Sequence, residues 1–198
     1  MTTRYSFSDN ARQVLTEARA HAGRLGHAYV SPDHILLGLT SVADAVAATT
    51  LVDLGQSLES LGKEVEGRMV PSRDVAPGPD LPYTSGAKRV LDRAMSAARD
   101  LGHPHVGTEH ILLGLVQEDT STAAVVLAEH QLTAERLQTG INRVLATNRQ
   151  SVALRAQPDM LLQDDEGPTV ARQTRMSTYL SIAALVVAVL ALVVALTR

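Results

Sequence analysis

The sequence contains no cysteine and no tryptophan, and it has only one phenylalanine and four tyrosines among its 198 residues. Without cysteine, the chain has no disulfide framework, no thiolate nucleophile and no cysteine-based zinc site. Lysine and arginine number 18 against 21 aspartates and glutamates, which gives a net charge of −3. Because a nucleic-acid-binding protein needs a basic face, we predict no nucleic-acid partner. The N-terminus is polar and lacks the apolar run of a signal peptide.

Catalytic signatures are also missing. The phosphate-binding motif Gly-x-x-x-x-Gly-Lys-Ser/Thr does not occur, and the nearest fragment, residues 55–63, has the wrong spacing and continues with Glu64. No arrangement of serine, histidine and aspartate for nucleophilic catalysis stands out. We therefore predict a protein that is not an enzyme and needs no cofactor.

The seven histidines raise the question of a metal site, because His27 and His34 lie close in sequence, as do His103 and His110. No His-Glu-x-x-His spacing occurs, and no carboxylate completes a closed ligand set at helical spacing. We predict no metal site. His34 and His110 are interpreted as packed structural residues.

One stretch of the sequence occurs twice. Residues 25–39 and 101–115 lie 76 positions apart and are identical at ten of fifteen positions. The same offset aligns similar residues from about position 6 to about position 148. An internal repeat of this length sets the architecture of the whole chain.

Each copy reads as four helices. An apolar stripe at 3.6-residue spacing predicts a first helix; it falls at positions 14, 15, 18, 22 and 25, and at 90, 91, 94, 98 and 101. Ser8 and Thr84 stand where N-caps would lie, and Gly26 and Gly102 are C-terminal glycines. A short, buried second helix follows in each copy, beginning after Ser31 or at the equivalent Gly107. Third helices are predicted at 43–54 and 121–130, and fourth helices at 58–70 and 134–147.

The duplicated block, with Gly-Thr-Glu-His-Ile-Leu-Leu-Gly-Leu at residues 107–115, resembles the Clp N-terminal repeat domain of ClpC- and ClpA-type Hsp100 unfoldases. The resemblance implies an all-α domain over residues 1–148, with two tandem four-helix repeats related by a pseudo-twofold axis. The repeats span about 6–70 and 83–148, with a proline-rich linker at 71–82. In that family the module is non-catalytic and binds adaptors and substrates for an ATPase ring. After residue 148 too little chain remains for an ATPase domain, so we do not expect ATP hydrolysis.

The resemblance also implies two ligand pockets, because modules of the ClpC branch bind phosphorylated arginine. Each pocket uses a hydroxyl after the aromatic residue that opens the first helix, together with an acid of the Gly-Thr-Glu-His motif. Within the second copy these residues are Thr84 and Glu109, and within the first copy they are Ser8 and Asp33. A helix N-terminus suits a phosphoryl group and a carboxylate suits a guanidinium. The alternative is that the hydroxyls are only caps and the acids only complement helix dipoles.

The last fifty residues change character twice. Residues 149–176 lose helical periodicity and predict a flexible tether, with a short partner-docking segment as the alternative. Residues 179–196 carry no charge and would span about 27 Å as a helix, close to a bilayer core. We predict a single transmembrane tail anchor at 177–198, with a buried soluble helix as the alternative. More arginines precede the segment than follow it, which favours the repeat domain on the cytoplasmic side.

Together these features predict a membrane-tethered, non-catalytic Clp N-domain protein that binds substrates or adaptors of a Clp protease or unfoldase system. Its expected partners are such proteins and a Clp ATPase, with phosphoarginine-marked proteins as a candidate ligand class. The alternative is a helical scaffold or regulatory protein for an unrelated membrane partner.

Overall fold

The computed structural model describes residues 6–72 and 81–155, and within these ranges the chain forms eight α-helices and two very short strands. The elements are β1 (Ser6–Phe7), α1 (Asp9–Arg24), α2 (Pro32–Ser41), α3 (Val46–Asp53), α4 (Leu58–Arg68), α5 (Ser85–Asp100), β2 (His105–Val106), α6 (Thr108–Val116), α7 (Thr122–Glu129) and α8 (Ala134–Arg155). Each helix of the second half begins 76 residues after its counterpart in the first half. The sequence repeat is therefore also a repeat of secondary structure.

The predicted ends of the first helices are confirmed. Ser8 Oγ accepts a hydrogen bond from the Ala11 amide at 3.2 Å, and Thr84 Oγ1 accepts one from the Ala87 amide at 3.1 Å. These bonds satisfy amides that have no partner inside the helix. Gly26 and Gly102 have φ angles of 71° and 66°, a left-handed conformation that favours glycine.

The Ile-Leu-Leu-Gly-Leu stretches form the buried helices that the sequence predicted. Ile35 and Ile111 are fully buried, as are the leucines that follow them, apart from exposures of 2% and 4% at Leu37 and Leu113. The glycine in each stretch allows a close helix crossing. A β-carbon at Gly38 would collide with the carbonyl oxygen of Val14, and one at Gly114 with that of Val90. Side chains from both halves pack into one core.

The prediction of a purely helical fold was wrong in one respect. β1 pairs with β2 in parallel, with Ser6 opposite His105 and Phe7 opposite Val106, and an isolated bridge joins Val30 to Tyr83. The Ser8 amide donates to Val106 O and the Thr84 amide to Val30 O, both at 3.0 Å. A two-residue strand is too short to give a period in the sequence, so these links between the halves were missed.

Two predicted helix boundaries are corrected, and the second also moves the start of the predicted tether. α3 begins at Val46 rather than at residue 43. α8 continues to Arg155, so the first seven residues of the predicted tether are helical. Residues 141–157 contain neither glycine nor proline, and nothing local ends the helix there.

Leu101 departs from the buried stripe predicted for α5, because it is 39% exposed. Its counterpart Leu25 is 8% exposed. After α4 the chain turns back over the end of α1, where the Ser72 amide donates to Leu25 O at 3.0 Å. α8 continues as a helix at the equivalent place, which accounts for the exposure of Leu101.

The helix starts of one half cap helices of the other half. Thr108 Oγ1, at the start of α6, accepts from the Ala47 amide of α3 at 3.2 Å. Reciprocally, Asp33 Oδ1, at the start of α2, accepts from the Ala123 amide of α7 at 2.7 Å. Each half therefore supplies a side-chain acceptor for a helix amide of the other half, which would otherwise lack a partner.

Within residues 6–72 and 81–155, no single helix is both long and apolar enough to cross a bilayer; α2 and α3 would pass that test only as a pair bent by 82°. The anchor predicted at 177–198 lies outside the described residues, as does most of the predicted tether.

Candidate functional site

A cleft of about 450 Å³ lies where the start of α1 meets the start of α6. Ser8 stands at the α1 end and Glu109 at the α6 end, while Leu145 and Arg149 of α8 form part of the wall. We call this the Glu109 cleft. It brings together a helix N-terminus, a hydroxyl and a carboxylate, which are the groups expected of an anion and guanidinium site.

A second cleft occupies the equivalent place on the other half. It has a volume of about 470 Å³ and is lined by residues that include Tyr29, Asp33, Met69 and Val70. We call it the Asp33 cleft. Asp33 also lines a separate pocket of about 280 Å³ beside Thr84 and Arg89, which we call the Thr84 pocket.

The pairing of the predicted site residues is corrected by the structure. Sequence reasoning paired Ser8 with Asp33 and Thr84 with Glu109, each within one copy. Instead Ser8 lines the cleft that holds Glu109, and Thr84 lines the pocket that holds Asp33. The cause is the parallel pairing of β1 with β2, which places the start of α1 beside α6.

Glu109 is a buried carboxylate, with 8% of its surface exposed. Burial raises the pKa of this side chain above its usual value, against the opposing effects of its own backbone amide and of His103. Its Oε1 lies 3.3 Å from Nδ1 of His110. The carboxyl group folds back over Gly107, at the position that a β-carbon of that residue would occupy.

Asp33 is held differently from Glu109. Its Oδ1 accepts from the Ala123 amide at 2.7 Å, and Oδ2 accepts from the Ser31 hydroxyl at 3.1 Å. Both carboxylate oxygens are therefore bonded to the protein itself. The bond between Asp33 and the Ala123 amide could not be predicted from the sequence, because the two residues are 90 positions apart.

Two histidine pairs support the starts of α2 and α6. The Ser31 amide donates to Nδ1 of His34 at 2.9 Å, and the Gly107 amide donates to Nδ1 of His110 at 2.8 Å. Each Nε2 faces Nδ1 of a second histidine, at 2.8 Å for His27 and 2.9 Å for His103. Since His34 is 1% exposed and His110 is fully buried, the prediction of packed histidines is confirmed.

His103, Glu109 and His110 place possible metal-ligand atoms within 4.8 Å of one another. Sequence reasoning had found no carboxylate to complete such a set. However, Nδ1 of His110 accepts the Gly107 amide, so the ring proton is on Nε2 and faces His103. A metal bound at Nε2 would require the other tautomer and would set two N–H groups against each other. The arrangement therefore fits a hydrogen-bonded pair better than a metal site.

The Thr84 pocket contains a cation that sequence reasoning did not single out. Arg89 bonds to Glu118 at 2.7 Å and 3.1 Å, and Glu118 is only 2% exposed. The hydrogen bonds from Arg89, together with one from Thr120 and the nearby charge of Arg93, lower the pKa of Glu118 to about 2. The guanidinium is thus fixed at the edge of the pocket by a buried partner.

The chain is similar in sequence to the members of one known family. The Clp repeat (R) N-terminal domain family matches residues 6–130. The negative regulator of genetic competence ClpC/MecB of Bacillus subtilis (strain 168) is 38% identical over 142 residues, which are 72% of this chain and 17% of that protein. The chaperone ClpB of Oceanobacillus iheyensis is 36% identical over 142 residues, 72% of this chain and 17% of that protein. The chain therefore spans less than a fifth of the length of these curated relatives.

Solved structures show the same fold at lower sequence identity. The N-terminal domain of ClpD from Arabidopsis thaliana has a TM-score of 0.57 and 20% identity, and the match covers 74% of this chain and 97% of that domain. The N-domain of ClpV from Vibrio cholerae has a TM-score of 0.60 and 15% identity, over 71% and 86% of the two chains. A ClpV N-domain is also known in complex with a VipB peptide, with a TM-score of 0.58, 15% identity and coverage of 71% and 88%.

Proposed function

Because the chain belongs to the Clp repeat N-terminal domain family, we propose that it is a membrane-tethered binding protein for substrates or adaptors of a Clp system. Binding rather than catalysis is the role of this domain in the larger unfoldases. We do not propose ATP hydrolysis, because this sequence lacks the phosphate-binding motif that ATP hydrolysis needs.

The observation that carries the proposal is the Glu109 cleft. It combines the N-terminus of a sixteen-residue helix, the Ser8 hydroxyl and a buried carboxylate in one concave space. A phosphoryl group would be favoured by the helix amides and the hydroxyl, and a guanidinium by Glu109. Phosphoarginine carries both groups, and we propose proteins marked in this way as the ligand class of the cleft.

A peptide ligand is consistent with the family fold. The ClpV N-domain, which shares this fold, forms a complex with a VipB peptide. In the present chain, exposed apolar side chains border the Asp33 cleft, with Tyr29 56% and Val70 84% exposed. Such side chains offer an apolar surface to a protein ligand, separate from the Glu109 cleft to which its charged group is assigned.

The membrane tether is proposed from the sequence alone. Residues 179–196 are uncharged and long enough to cross a bilayer. Anchored there, with the helical domain on the cytoplasmic side, the protein would present its clefts to clients or adaptors near the membrane. It would deliver them to a Clp ATPase or compete with that enzyme's own N-domain.

The binding experiment uses the full chain in mild detergent and a fluorescent peptide that carries either phosphoarginine or arginine. We expect the phosphorylated peptide to bind at least tenfold more tightly. We expect Glu109→Gln to weaken that binding at least tenfold, equivalent to about 1.4 kcal/mol. The matched control is Glu135→Gln, an exposed acid in the first turn of α8. Equal affinity for the two peptides would contradict the proposal.

A helical scaffold for an unrelated membrane partner is the second candidate, and one observation favours it. Ser8, Thr84 and Asp33 already accept hydrogen bonds from the protein's own backbone amides. Crosslinking in membranes, followed by identification of the partners, separates the two candidates. Recovery of Clp components or their clients supports the first candidate, and recovery of an unrelated membrane protein alone supports the scaffold.

A further inference from the structure

Glu109 lies in a position that only a glycine at residue 107 permits. A β-carbon on Gly107 would overlap the carboxyl carbon and both carboxylate oxygens of Glu109, the flexible end of that side chain. The backbone does not require glycine at this position, because φ is −90° and ψ is 177°. The absent side chain therefore provides space into which the carboxylate is withdrawn.

The withdrawn carboxylate has no cationic partner at neutral pH among the described residues. It contacts His110, whose pKa burial lowers to about 4. The other titratable groups that line the same cleft are His103 on the connector before β2, His105 in β2, Asp9 on α1 and Arg149 on α8. A buried carboxylate without a paired charge is costly, and a cationic ligand in the cleft would relieve that cost.

The first half of the chain lacks this arrangement. Ser31 stands at the position equivalent to Gly107, and its hydroxyl bonds to the acid that follows it. Asp33, one methylene shorter than glutamate, reaches the Ala123 amide at the start of α7. It is a structural cap rather than a withdrawn group.

We infer that the two clefts are not equivalent: Glu109 is stored over Gly107 and swings out to meet a cationic group of the ligand, whereas Asp33 stays bonded to α7. Each chain then has one site that takes a guanidinium, and Gly107 is the positioning residue that sets its affinity. This inference rests on the proposed binding function and specifies which cleft performs it.

The decisive variant is Gly107→Ser, which gives the second half the residue that the first half has at the equivalent position, Ser31. The serine side chain would occupy the storage position and force the carboxylate outward, into the cleft and closer to solvent. We expect the pKa of Glu109, followed by carbon-13 NMR of labelled glutamate in the full chain, to fall toward the ordinary glutamate value. The phosphoarginine peptide should bind at least threefold more tightly. The reverse change Ser31→Gly is the matched control and should alter neither quantity.

Titration calorimetry with the same peptide tests the asymmetry. We expect one site per chain in the wild type, and Asp33→Asn should leave that number and the affinity unchanged while lowering the melting temperature. An unchanged Glu109 pKa in Gly107→Ser would overturn the inference. So would two sites that Asp33→Asn reduces to one, although the proposed function would stand. Absence of binding in every variant would instead count against the proposed function.

Discussion

His34 and His110 use both ring nitrogens in hydrogen bonds inside the protein. One nitrogen of each accepts the amide at the start of its helix, and the other faces a neighbouring histidine. Burial, and to a lesser extent the neighbouring histidines, lower the pKa of both to about 4. We attribute their presence in both copies to this hydrogen bond at the start of each helix. The repeated histidines therefore do not by themselves indicate a metal site.

The histidines should make stability depend on pH. Their folded pKa of about 4 lies below the ordinary value of 6.5, so the neutral ring stabilises the fold fully above pH 6.5. That contribution is lost as the pH falls from 6.5 toward 4, by about 3 kcal/mol per histidine. In the double variant His34→Gln, His110→Gln, the glutamines can still accept the helix-start amide without titrating. We expect urea unfolding to show a much flatter dependence on pH in this range.

The exposed His105 provides the control, since His105→Gln leaves both buried rings in place. It should retain the wild-type pH dependence. If the double variant lost stability between pH 6.5 and 4 as steeply as the wild type, the buried histidines would not be the cause.

For single helices, the sequence was most informative where the helix is long enough for its 3.6-residue apolar period to repeat several times. The apolar stripe of α1, its serine cap and its terminal glycine were all predicted and are present. The glycine inside Ile-Leu-Leu-Gly-Leu was not explained by its own helix, in which glycine is unfavourable. Its reason is the backbone of the neighbouring helix, which passes too close for any side chain.

We expect Gly38→Ala to destabilise the protein by more than about 2 kcal/mol, because the new methyl group meets the backbone carbonyl of Val14. Gly67→Ala in α4 is the matched control, since its methyl group would have nothing within 4 Å. It should be neutral or stabilising by up to about 1 kcal/mol, as alanine is the better helix former. Chemical denaturation measures both, and equal effects would contradict the close-crossing explanation.

At the scale of the whole molecule, the two halves are linked by features that connect distant positions. β1 pairs with β2, Asp33 caps α7 and Thr108 caps α3. Arg68 of α4 also forms an ion pair with Glu129 of α7. The clefts depend on these links, because each cleft takes residues from both halves.

The proposed membrane anchor can be tested on the full chain. The full chain expressed in cells should remain in the membrane pellet after carbonate extraction, whereas a chain shortened to residues 1–176 should be released. A chain with residues 179–196 in scrambled order keeps the length and apolarity of the uncharged segment and should still be retained. Release of the full chain by carbonate would contradict membrane anchoring.

The repeat, the order of the helices, their caps and the buried Ile-Leu-Leu-Gly-Leu segments could all be predicted from the amino-acid sequence. These features depend on residues within one or two helical turns, where period and spacing carry the information. The grouping of Ser8 with Glu109 and of Thr84 with Asp33 follows from the folded chain alone. The same is true of the two acids, one of which caps a distant helix while the other is folded over a glycine. Such contacts join residues up to about a hundred positions apart, and no local pattern records which amide a carboxylate will reach.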